Sequence, residues 1–114
     1  MPLLPIFERL LLPPIGFQKH DEEPIIYIHF LIPDSPYHWY AAEGSPVAND
    51  FVFFGFHIGS ELEEDWNWKE FRLSELEAFG SGGDAAVVKD PDFKAGRFTD
   101  VVPHPDLNKD FSKE

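Results

Sequence analysis

The chain has 114 residues and a formal net charge of −12, and its 43% hydrophobic and 16% aromatic content supports one folded domain with a single core. The absence of cysteine excludes disulfide frameworks, thiolate metal sites and cysteine nucleophiles, and it suits a reducing cytoplasm. Between Lys19 and Lys69 the chain carries no Lys or Arg but ten acidic residues, which disfavours direct contact with nucleic-acid phosphates or with an anionic membrane.

The N-terminus lacks a basic leader, and its apolar stretch is broken by Pro5 and Glu8, so no signal peptide is read there. No segment approaches the roughly 20 apolar residues of a transmembrane helix, and the expected location is cytoplasmic. Residues 3–12 are predicted to form a short helix with Phe7, Leu10 and Leu11 on one face, ended by Pro13-Pro14. Residues 15–23 read as a connector. Pro24 then opens a β-prone run at 25–32, apolar on both faces and stopped by the Pro33-Asp34-Ser35-Pro36 turn.

Residues 37–43 are the predicted return strand, and residues 44–50 a longer loop. The stretch 51–58 holds four phenylalanines and is expected to be the central strand, with Gly55 marking a bulge or a ring laid over the backbone. After the acidic turn at 61–65, residues 66–73 alternate well enough for a fourth strand. Ser74-Glu75-Leu76-Glu77 has the pattern of a capping box at a helix start, with Gly80 ending that helix. Residues 85–89 suit a last strand. The expected fold is α+β: a single small domain over 1–98, with a four- to five-stranded antiparallel meander sheet, an N-terminal helix and a short helix near Ser74. A polar, partly ordered tail follows over 99–114.

Several features in order resemble the bacterial domain of unknown function 2958 family. They are Leu12-Pro13-Pro14, Phe30-Leu31-Ile32-Pro33, Trp39-Tyr40 with Glu43, Phe54-Gly55, Phe71-Arg72-Leu73-Ser74-Glu75-Leu76-Glu77, and Lys89-Asp90 followed by Phe93. The chain departs from the family pattern at 66–69, where a Gly-Tyr pair is usual. The resemblance implies a small bacterial protein of a type carried on plasmids and integrated elements. It implies no activity and carries over no catalytic residue.

No serine has a nucleophile-elbow context, and Gly80-Ser81-Gly82-Gly83 lacks the Lys-Ser/Thr of a phosphate loop. A polar site is conceivable if His29 and His57 share a face, with Glu43 or Tyr27 completing an imidazole–carboxylate set and His38 on the strand between them. Glu43 alone could be a desolvated base or an acceptor of backbone amides in the Gly44-Ser45 turn. Trp66 and Trp68 share a face and follow Glu61, Glu63, Glu64 and Asp65, so these six residues form a candidate interaction surface for a basic protein with apolar anchors. The expected function is a non-enzymatic, protein-binding accessory domain without cofactor or metal, competing with nucleic acid for a basic partner. The alternative is a small enzyme or ligand- or metal-binding domain using Glu43 with His29 or His57.

Overall fold

Large apolar residues on both sides of the chain between residues 25 and 72 require a sheet covered on both faces, and the computed structural model of the protein is built that way. It describes residues 4, 6–60, 62, 65–79 and 86–102, with the backbone alone at 6 and 7. In chain order the elements are α1 (Ile6–Arg9), β1 (Ile25–Ile26), β2 (Ile28–Leu31), β3 (His38–Val47), β4 (Asp50–Ile58), β5 (Trp66–Arg72), α2 (Leu73–Ala78), β6 (Val88–Lys89), β7 (Gly96–Arg97) and α3 (Phe98–Val101). The main sheet runs β5-β4-β3-β2-β6, and β1 pairs with β7 in a separate ribbon; all of these pairings are antiparallel. The meander of β2 to β5 matches the expected order. No helix among the described residues is long and apolar enough to cross a membrane.

The phenylalanine strand β4 lies beside the centre rather than at it, because β6 adds to the β2 edge and makes β3 the middle strand. Phe51, Phe53 and Phe56 are 3%, 0% and 1% exposed. Burying each is worth roughly 2–3 kcal/mol, which makes this strand core rather than a ligand box. One face carries Phe30, Trp39, Phe53 and Phe71 under Leu4, Leu12 and the α2 residues Leu73 and Leu76. The other carries Tyr40, Phe56 and Trp66 under Ile26, Phe98 and Val102.

Ala41 pairs with Gly55 and Glu43 with Phe54, leaving Ala42 as the extra residue of a β-bulge on β3, across from Gly55. The loop expected at 44–50 is strand instead. β3 continues to Val47, which pairs with Asp50 across a two-residue turn where Ala48 is left-handed at φ 55°. Gly44 stays in the strand because the Phe51 ring lies over its bare Cα; a Cβ there would be 2.4 Å from that ring. The run at 25–32 is likewise split. Nothing in its composition marks Tyr27, but β1 is drawn off to β7 while β2 stays in the main sheet.

The N-terminal helix expected over 3–12 is reduced, among the described residues, to the single turn of α1. Its expected apolar face also fails, since Leu10 and Leu11 are 84% and 59% exposed while Leu12 is buried. The Pro13 carbonyl accepts the Gly44 amide, and this docks Leu12 rather than its neighbours on the sheet. The second helix begins one residue before Ser74. Glu75 Oε1 accepts the Arg72 amide at 2.8 Å, and Ser74 is held from outside by Asp50, at 3.1 Å through its amide and 2.6 Å through its hydroxyl. Hydrogen bonds from the Ser74 hydroxyl and the Phe51 amide outweigh the opposing effect of desolvation and hold the Asp50 carboxyl below its usual value. The predicted stop at Gly80 lies outside the described residues. The tail expected from residue 99 is described as far as Val102, which is buried and which donates its amide to the Phe98 carbonyl.

Candidate functional site

Two buried polar groups stand out in an otherwise apolar sheet: Glu43 at 2% exposure and His29 at 8%. They are separate structures. His29 pairs with Tyr40, whereas His57 pairs with Trp39, so the alternation of side chains puts the two histidines on opposite faces. The shared His29–His57 site with Glu43 is therefore corrected by the register. His57 instead stacks on Trp39 at 4.8 Å, with Nδ1 3.0 Å from the His38 carbonyl.

His29 is joined to different partners. Its Nδ1 lies 3.0 Å from Asp90 Oδ2, and its Nε2 lies 2.9 Å from His38 Nδ1. The ring is stacked flat on Tyr40, 4.4 Å between centroids, and Phe93 tilts against both rings. β2 supplies His29 and β3 supplies His38 and Tyr40. The turn after β6 supplies Asp90, whose amide donates to the His29 carbonyl and so fixes the carboxylate beside the ring.

The protonation states follow from the electrostatics. Burial depresses the pKa of His29 more than the nearby Asp90 carboxylate raises it. Burial, with His29 and His57 adding repulsion, depresses His38. Burial pushes Asp90 up, but hydrogen bonds from His29 and the Asp92 amide outweigh that and hold it below its usual value. Burial and the Asp90 charge push the Tyr40 hydroxyl up to about 12. Asp90 is thus a carboxylate and both rings are neutral at pH 7. His29 must carry its proton on Nδ1 to satisfy Asp90, so its Nε2 is an acceptor and His38 Nδ1 is the donor. That leaves His38 Nε2 as a bare imidazole nitrogen with no hydrogen-bond partner among the described residues. Asp90, His29 and His38 thus form one hydrogen-bonded chain that ends on half-buried His38.

Glu43 performs a different task. Its Oε1 accepts the Gly16 amide at 2.8 Å, and its Oε2 accepts the Gln18 amide. Gln18 in turn brackets Ile25: its Nε2 donates to the Ile25 carbonyl and its Oε1 accepts the Ile25 amide, while Nε2 also reaches the Ala42 carbonyl. Ser45 Oγ accepts the Ile15 amide. The bulge at Ala42 thus anchors the connector, and Glu43 accepts amides from this distant loop rather than from the Gly44-Ser45 turn. With both oxygens so engaged, Glu43 is an acceptor that ties the connector to the sheet.

Of the candidate interaction surface, Glu61, Glu63 and Glu64 lie outside the described residues. Asp65 is exposed and accepts the Ser60 hydroxyl. The tryptophans leave the surface. Trp66 is 6% exposed with its indole Nε1 donating to the Ser60 carbonyl at 2.8 Å, and half-buried Trp68 packs against Phe54, Phe56 and Phe98. Among the described residues no group of three or more His, Asp or Glu is placed to hold a metal ion.

Sequence reasoning missed Asp90 and Gln18. Asp90 lies 61 residues from His29, and neither its place after a β-prone run nor the Lys89-Asp90 pair of the resemblance tied it to a histidine. Gln18 carried no signal at all. Comparison with models of known protein families, with curated proteins and with solved structures finds no match to the chain.

Proposed function

We infer that the chain is a non-enzymatic accessory domain that binds a basic protein through exposed carboxylates. The observation that carries this reading is an open cleft of about 580 Å³ lined by His20, Asp21, Glu22, Glu23, Ile25 and Arg97. Asp21 and Glu22 stand exposed there, while Glu23 is tied down by the Thr99 hydroxyl at 2.6 Å. Hydrogen-bonded or paired carboxylates serve the fold at Glu43, Glu8, Asp50 and Glu23; Asp21 and Glu22 remain for a partner. The lack of Lys and Arg between Lys19 and Lys69 makes a cationic partner the electrostatic complement, one that could otherwise bind nucleic acid. The resemblance to a family carried on mobile elements accords with such a role.

The test is capture from a bacterial lysate by the immobilised chain at about 50 mM salt and release at about 300 mM, where exposed charges are screened within a few ångströms. An Asp21→Asn/Glu22→Gln variant should lose the captured protein, and added duplex DNA should compete for it. Equal capture by the variant would remove the cleft from the reading.

A second reading is favoured by the hydrogen-bonded chain from Asp90 to His38: a ligand-binding or proton-transferring site at His38 Nε2. A ligand there would shift the His38 Nε2 resonance and be lost in His38→Gln, while leaving the Asp21 and Glu22 amides unmoved.

A further inference from the structure

Arg9 has no place in either reading. It stands at the end of α1, and its Nε is buried with no hydrogen-bond partner among the described residues. Its guanidinium lies over the Phe51 ring, 5.5 Å from the centroid. No ion pair to it exists among the described residues, although the chain has 21 acidic residues and only nine basic ones. The adjacent Glu8 is taken by Lys89. Among the described residues Arg9 is thus a partly buried cation without a carboxylate partner.

Arg9 also lines a cavity of about 420 Å³ whose other walls include Leu10, Leu12, Pro14, Pro46 and Phe51. The size falls in the range of small-molecule sites, and an apolar wall with one or two fixed polar groups is their usual composition. A guanidinium offers a planar fork of donors that matches a carboxylate with two parallel bonds, and its two Nη groups form one such edge. Ser45, also in the wall, accepts the Ile15 amide and has its own hydroxyl proton for a second contact.

We propose that the cavity between Arg9 and Phe51 is a binding site for a small monocarboxylate with an apolar body. The carboxylate pairs with the Arg9 fork, and the body lies against Phe51, Leu12 and the prolines. Net charge narrows the class further: at −12 the domain repels di- and polyanions, whereas a single carboxylate is neutralised by one arginine. The site is independent of the acidic cleft.

The probe is phenylacetate, titrated into the full ¹⁵N-labelled chain with its neutral isostere phenylacetamide as the control. Phenylacetate should give saturable shifts at Arg9 Nε–H and at the Gly44, Ser45 and Phe51 amides, with Kd of about 0.1–1 mM, and the amide should bind at least about tenfold more weakly. Arg9→Gln should abolish the preference for the carboxylate. Leu10→Asp supplies a second variant that leaves the fold alone, since Leu10 is 84% exposed; its charge at the mouth should weaken phenylacetate several-fold and leave the amide unchanged. Equal affinity for acid and amide, no saturable shift up to about 10 mM, or an unchanged preference in either variant would each overturn the proposal. A dipeptide ending in a free phenylalanine carboxylate that bound about tenfold more tightly than phenylacetate would overturn the small-molecule assignment in favour of a peptide C-terminus.

Discussion

Gly55 lies so close to Tyr40 that a Cβ on the glycine would sit 2.0 Å from the Tyr40 carbonyl oxygen and 2.9 Å from the Ala41 Cα. Both obstacles are backbone, so no side chain can turn aside. The approach is part of the bulge that places Ala42 and Glu43 opposite Phe54, and with it the anchor for the connector. Gly55→Ala must push β3 and β4 apart and should cost roughly 3 kcal/mol or more. Gly59→Ala, where the nearest atom is His57 Nε2 at 3.2 Å, should cost less than about 1 kcal/mol. Urea denaturation of the two variants gives the comparison; equal losses would contradict the close approach.

Glu43 is expected to hold the connector. Glu43→Ala leaves the Gly16 and Gln18 amides without acceptors and should cost about 2–4 kcal/mol, and Glu43→Gln somewhat less, because its NH₂ must face one of the two amides. Hydrogen exchange at residues 15–18 should accelerate in both. Unchanged exchange there would place the stabilising role of Glu43 elsewhere.

His29→Ala removes the bonds to Asp90 and His38 and the ring stacked on Tyr40. A loss of about 2–4 kcal/mol is expected from the cavity and the lost bonds together. Imidazole ¹⁵N shifts of the unmodified chain should show His29 protonated on Nδ1 and His38 protonated on Nδ1. An Nε2 proton on His29 would contradict the hydrogen-bonded chain.

The three histidines His29, His38 and His57 all have depressed pKa values, mainly through burial, against an ordinary value of 6.5. As pH falls through about 6.5 the unfolded chain takes up protons that the native chain does not, so stability should drop on acidification from about pH 7 to 5.5. Above about pH 7 this contribution is fully present. Denaturation midpoints across the window provide the check, and a flat or rising profile on acidification would contradict it. Tyr40 acts at the other end: with its hydroxyl pushed up to about 12, its contribution is full below about pH 10 and is lost as pH rises from there to about 12.

Much of the sheet was legible because side-chain alternation is a local property. Residues 25–32 and 51–58 are β-prone apolar runs and 66–72 alternates, and β2, β4 and β5 form within them in the expected order, while β1 is split off to a second ribbon. That both faces are covered also followed from the residues alone, since Ile28 and Phe30 alternate with His29 and Leu31. The site was far less legible. A periodic pattern tells which residues share a face of one strand, but not which face of the next strand they meet.

The sequence by itself therefore determined an antiparallel sheet, the order of β2 to β5 within it and the acidic character of the chain. Tertiary structure alone decided that His29 meets Asp90 and His38 rather than His57, that Glu43 holds a loop 25 residues away, and that Trp66 is buried beneath the second layer. The physical reason is register. One extra residue at Ala42 shifts the pairing of β3 with β4, and a turn that returns Asp90 to the edge of β2 selects the histidine's partner. Both depend on contacts between distant segments that no local pattern records.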